Sequence, residues 1–212
     1  MPGDRRAPYS AARVEAYTDA VIAMAATLLV LDLTAKAIGE VDSDAQLWRA
    51  LGDVWPSFLS FTISFVLLSG LWVIHMRQWR DIARADLVLL WLNNGRLLFI
   101  VLVPFTTSLV DEYSEYFAGR VLLPINFFLA VLFGVATWTW AASRGGHLLA
   151  EEAKADAPSQ TLGGIVAVVC GAMTVALSPW LGSLAFLTYG LAGPLHALLT
   201  RVRRSRGNER AR

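Results

Sequence analysis

From Ala157 to Thr200 the chain runs 44 residues without one Asp, Glu, Lys or Arg. As a single α-helix that run would be roughly 66 Å long, about twice the ~30 Å hydrocarbon core of a bilayer. It therefore predicts two apolar helices folded back on each other. Ser178-Pro179 is the expected break, because proline lacks a backbone donor and disfavours helix in the residue before it. Three further stretches have the same character: Val54 to Met76, Leu87 to Val110 interrupted only by Arg96, and Val121 to Ser143. With 56% hydrophobic and 17% charged residues, the chain falls outside the soluble class. The fold class expected is an all-α membrane protein with six transmembrane helices per subunit, spanning about 13–34, 54–78, 86–110, 121–143, 158–177 and 180–200. A basic cytoplasmic tail follows over 201–212.

The first span is the unusual one. Between Arg13 and Lys36 it contains Glu15, Asp19 and Asp32, and only Ala20 to Leu31 is free of formal charge. Twelve residues are too few to cross, so a carboxylate must sit near or below the headgroup boundary, where it is costly unless it faces protein or water. This helix is expected at the centre of an assembly rather than against lipid. Arg96, inside the third span, costs roughly 2.5 to 3.5 kcal/mol at a helix centre and is expected to pair with an acid or reach water.

Lys and Arg bias sets orientation. With six spans, fourteen basic residues fall on one side, among them Arg5, Arg6, Arg77, Arg80, Arg84, Arg144 and the tail, against Lys36, Arg49 and Arg120 on the other. Both termini are thus expected in the cytoplasm. The opposite side holds eight acids, including Glu40, Asp42, Asp44 and Asp53, a bias that would concentrate cations at an outer mouth.

Several functions find no support in the residues. There is no phosphate-binding glycine loop, no paired-histidine zinc spacing and no Gly-x-Ser-x-Gly elbow, so no enzyme, metal site or cofactor is expected. The polybasic tail reads as an anchor on anionic lipid rather than a nucleic-acid arm. Cys170, in an apolar run, reads as a packing residue.

The first span carries the recognisable pattern. Arg13, Tyr17, Thr18 and Asp19, followed by Ala23, Thr27, Leu28, Leu29, Val30, Leu31 and Asp32, resemble the "R-x-x-x-F-S-D" helix of the transmembrane protein 175 family of potassium channels. Tyr replaces Phe and Thr replaces Ser, keeping the ring and the hydroxyl. The Trp72-x-x-His75 pair in the second span, and Asn93 with Pro104-Phe105-Thr106 in the third, resemble the same family.

That resemblance implies a potassium-selective channel in a bacterial plasma membrane, a homotetramer with an oligomeric pore lined by the first helix. Met24, Leu28 and Leu31 share one face by i, i+4, i+7 spacing, and in the family the matching positions form apolar rings on the pore axis beside a threonine matching Thr27. Arg13, Tyr17, Thr18, Asp19, Trp72, His75 and Asn93 are expected to form a structural polar cluster holding that helix. The alternative reading is a proton-coupled or proton-permeable transporter using Asp19 and His75.

Overall fold

The computed structural model describes residues 9–35, 38 and 40–210, and within these the side chains of 32, 34, 35 and 202–210 are left aside. The expectations placed on Arg5, Arg6, Lys36, the Asp32 carboxylate and the tail arginines from Arg203 onward fall outside what is described.

The described chain is helical. α1 spans Ala11–Ala35, α2 Asp44–Asp53, α3 Trp55–Asp81, α4 Leu87–Val101, α5 Val103–Tyr113, α6 Phe117–Gly146, α7 Ala157–Leu181, α8 Leu187–Gly190 and α9 Ala192–Arg210; short 3-10 turns cover Glu151–Lys154 and Gly182–Phe186. Among the described residues, five stretches are long and apolar enough to cross a membrane: Ala11–Leu31, Trp55–Asp81, Leu87–Tyr113, Phe117–Gly146 and Ala157–Gly190. Each overlaps one of the first five expected spans, and the last runs on to Gly190, past the expected boundary at 177.

The expected sixth crossing is not one helix. After Gly182 the backbone passes through a 3-10 turn and the four-residue α8 before α9 begins, and α9 ends in arginines. The returning segment nevertheless lies antiparallel to α7. Thr188 meets Thr174 at 2.5 Å, and His196 Nε2 lies 3.0 Å from the Ser159 carbonyl.

The break itself is displaced from its expected place. α7 runs through Ser178 and Pro179 and stops at Leu181. The proline leaves the Val175 carbonyl without its usual amide, and Ser178 Oγ donates to that carbonyl at 2.9 Å instead. The turn falls at Gly182, whose φ of 54° and ψ of −134° suit a residue without Cβ.

The third span shows a milder version of the same problem. Pro104 follows the junction of α4 and α5, where the Leu102 amide reaches the carbonyls of Leu98 and Ile100 and Asn126 Nδ2 donates to the Phe99 carbonyl at 2.8 Å. The span kinks but its backbone groups keep partners.

α1 packs on α3, α4 and α5; the kinked α4–α5 span packs on α6, and α6 on α7. The core between them is built from Ile22, Ala25 and Leu29 of α1, Leu68 and Leu71 of α3, Leu97, Ile100 and Val103, and Phe127 and Val131 of α6. A second core closes the basic end, with Trp79, Ile82, Ala85, Leu89, Trp138, Leu148 and Leu149. Backbone bonds tie this end together: Tyr9 pairs with Ala85, and Leu148 accepts from Ala83.

Candidate pore helix and its polar supports

α1 has two faces of opposite exposure. Thr18, Ile22, Ala25 and Leu29, spaced by four, three and four residues, are between 0% and 4% exposed and meet the rest of the subunit. On the other side Tyr17, Met24, Leu28 and Leu31 are 57%, 66%, 43% and 57% exposed. Arg13, Ala20 and Thr27 lie on this outward side too. All four residues expected at a constriction, Met24, Thr27, Leu28 and Leu31, therefore point away from the subunit that carries them. Thr27 Oγ1 donates to the Met24 carbonyl at 2.8 Å, which leaves the hydroxyl oxygen as an acceptor facing outward.

The expected polar cluster divides into separate pairs. Asn93 Nδ2 donates to Thr18 Oγ1 at 2.8 Å, with both residues at or below 1% exposure. Trp72 Nε1 donates to Asp19 Oδ1 at 2.9 Å nearer the surface. His75 joins neither pair; it is buried against the Trp79 ring, 5.6 Å between centroids, with Nδ1 3.5 Å from Arg96. Arg13 and Tyr17 are exposed, and no hydrogen bond joins them to these pairs among the described residues. The divergence follows from helix geometry: His75 is three residues beyond Trp72, about one turn further along α3 and rotated toward α4.

Arg96 is 1% exposed, and its expected acid partner is absent among the described residues. Its guanidinium instead donates to the Leu71 carbonyl at 2.8 Å and to Gln78 Oε1 at 3.3 Å. Room for it comes from α6, where a Cβ on Gly134 would sit 3.3 Å from the Arg96 Cζ. Arg96 thus bridges α3 and α4 against α6 with dipoles in place of a carboxylate, and its Nε has no partner.

Sequence reasoning missed other polar joints. Thr107 donates to Ser64 at 2.8 Å between α5 and α3. At the basic end Asp86 caps α4 by accepting from the Leu89 amide at 2.8 Å, and it accepts from Trp140 Nε1 at 3.0 Å. His147 Nε2 stands 3.9 Å from the same carboxylate, and the Arg144 guanidinium lies 5.4 Å from the Trp140 ring centroid. An Asp directly before an apolar helical run was the available signal for the cap. No group of three or more potential metal ligands occurs among the described residues.

Comparison with known proteins bears on the same segment. Residues 13–104 match the family model described as endosomal/lysosomal potassium channel TMEM175. A potassium channel of Streptomyces collinus is 34% identical over 186 residues, covering 85% of this chain and 81% of its own. The human endosomal/lysosomal proton channel TMEM175 is 31% identical over 193 residues, which is 86% of this chain but 36% of the human one. Among solved structures, a lysosomal potassium-selective channel TMEM175 homologue from Chamaesiphon minutus superposes with a TM-score of 0.71 at 26% identity. That superposition covers 89% of this chain and 96% of the other.

Proposed function

The chain belongs to the TMEM175 family, and from that premise we propose that it forms a potassium-preferring cation channel, a homotetramer whose axis is lined by four copies of α1. The observation that carries this reading is the outward apolar stripe of Met24, Leu28 and Leu31 on a helix whose opposite face is closed against its own subunit. A helix with Asp19 and Glu15 in it is a poor lipid-facing element, so a protein or water partner suits that stripe better than hydrocarbon.

Four such stripes around an axis give stacked apolar rings and a dry constriction. An ion crossing it must shed part of its hydration shell, which costs potassium less than sodium. The Thr27 oxygens beside the first ring offer partial compensation. Acidic residues of the segment between α1 and α3, Glu40, Asp42, Asp44 and Asp53, are exposed and raise the local cation concentration at the outer mouth. In this reading both termini are cytoplasmic, the returning segment after Gly182 completes a sixth crossing, and the membrane is the bacterial plasma membrane. Transport needs no cofactor and no catalysis.

Purified protein in liposomes with an outward potassium gradient tests the reading. Potassium flux at constant pH, larger than sodium flux, is expected. A voltage change that follows only the proton gradient supports the second reading, which the proton-channel name of the human relative favours. In that case Asp19 and His75 carry protons separately, since no hydrogen bond joins them among the described residues.

A further inference from the structure

Away from α1, a cavity of about 610 Å³ opens between α3, α6, α7 and α9, and the channel reading makes no use of it. Its size is within the roughly 300 to 1,000 Å³ typical of ligand sites. One end is cationic, lined by Arg77, Arg80 and Arg96, and no Asp or Glu lines any part of it. Arg77 and Arg80 are exposed at the basic end of α3. Arg96 is 1% exposed, has an unpartnered Nε, and has no carboxylate in salt-bridge range among the described residues. The other end is apolar, formed by residues such as Val66, Phe127 and Val131.

Charge complementarity and depth identify the occupant. Arg80 Nε lies 3.6 Å from Asp81, whose other oxygen accepts from Gln160, so the charge left without a carboxylate among the described residues is that of Arg77 and Arg96, and a wall with that net positive charge attracts an anion. A small soluble anion would leave the apolar end empty. From Arg80 to Val66 along α3 is roughly 21 Å, close to one leaflet, given a hydrocarbon core of about 30 Å plus headgroups. The required ligand is anionic at one end and a leaflet deep in hydrocarbon.

We propose that this cavity binds one anionic phospholipid per subunit, its phosphate held by Arg77 and Arg80 with Arg96 as the buried charge behind them, and an acyl chain along the wall from Gly70 to Val66. The site does not depend on the pore assignment, because lipid retention reads no ion flux.

Native mass spectrometry of the detergent-solubilised full chain, equilibrated with equal phosphatidylglycerol and phosphatidylcholine, measures it. One phosphatidylglycerol per subunit, retained at least tenfold over phosphatidylcholine, is expected, with that preference lost in the Arg77→Ala, Arg80→Ala double variant. Gly70→Leu is the second arm: nothing lies within 4 Å of a Cβ at Gly70, so the leucine enters the cavity without a clash and should expel the lipid with every charge intact. Equal retention of the two lipids, or phosphatidylglycerol retention unchanged by Gly70→Leu, overturns the proposal. So does displacement of the lipid by millimolar glycerol 3-phosphate, which would make the site one for soluble anions.

Discussion

At the outward face of α1, size and chemistry can be separated residue by residue. In the proposed tetramer, Leu28→Ala or Leu31→Ala removes an isopropyl group from each of four facing side chains, so water should enter the proposed dry constriction. We expect larger total conductance and weaker discrimination of potassium from sodium in single-channel or flux recordings. Thr27→Val keeps the volume and removes an oxygen; selectivity should fall with little gain in conductance. Parent-like behaviour in all three variants would remove this face from the filter. The inward face is ordered by burial instead. Asn93→Ala strips Thr18 of its donor in a site closed to solvent, where an unsatisfied group costs about 1 to 3 kcal/mol. Trp72→Phe breaks the Asp19 bond where Trp72 is 39% exposed, and water can replace the lost donor. Thermal melting should therefore rank Asn93→Ala as the more damaging change, and the reverse order would contradict the reading that the buried Thr18–Asn93 bond holds α1 more firmly than the Asp19–Trp72 bond.

Between elements, the proline and glycine positions decide where helices end. Ser178-Pro179 reads in the sequence as the hairpin, yet the hydroxyl of Ser178 takes over the Val175 carbonyl and lets α7 continue. The glycine three residues later adopts a backbone conformation that side chains oppose. Gly182→Ala should cost about 1 to 3 kcal/mol and lower the melting midpoint, whereas Pro179→Ala restores a helical amide and should be far milder; similar losses would place the hinge elsewhere. Asp86→Ala removes both the α4 cap and the Trp140 bond and should cost about 0.5 to 2 kcal/mol, read the same way. Four of the five apolar stretches were legible because each contains a long run with at most one charged residue, whereas the first, with Glu15 and Asp19 inside it, was legible by its pattern of residues. The partition of the polar cluster was not, since which of Trp72 and His75 faces α1 depends on the rotation of α3 about its axis. Arg96 was legible as a problem but not as a solution: nothing local announces that Gln78, a backbone carbonyl and a glycine on α6 accommodate it.

For the whole molecule, the stripe on α1 differs from the other exposed apolar faces in lying on a helix that also carries Glu15 and Asp19. A ring of copies covers it if α1 faces the axis, and then equivalent positions on neighbouring chains come close. Single cysteines at Met24, Leu28 and Leu31 should form subunit-to-subunit cross-links under mild oxidation, while cysteine at Ala25, which is 1% exposed against its own subunit, should not. Cys170 is buried between α7 and the segment that follows it, so it supplies little background. Spacing adds a second constraint: positions 24, 28 and 31 follow helical repeats along one face, so reactivity should recur at that period and drop between. Cross-linking that instead concentrates on outward positions of α7, such as Ile165 or Val169, both exposed, would move the axis to the opposite side of the subunit. The acidic segment between α1 and α3 and the proposed constriction would then no longer share a path, and the conduction mechanism proposed for α1 would fail with them.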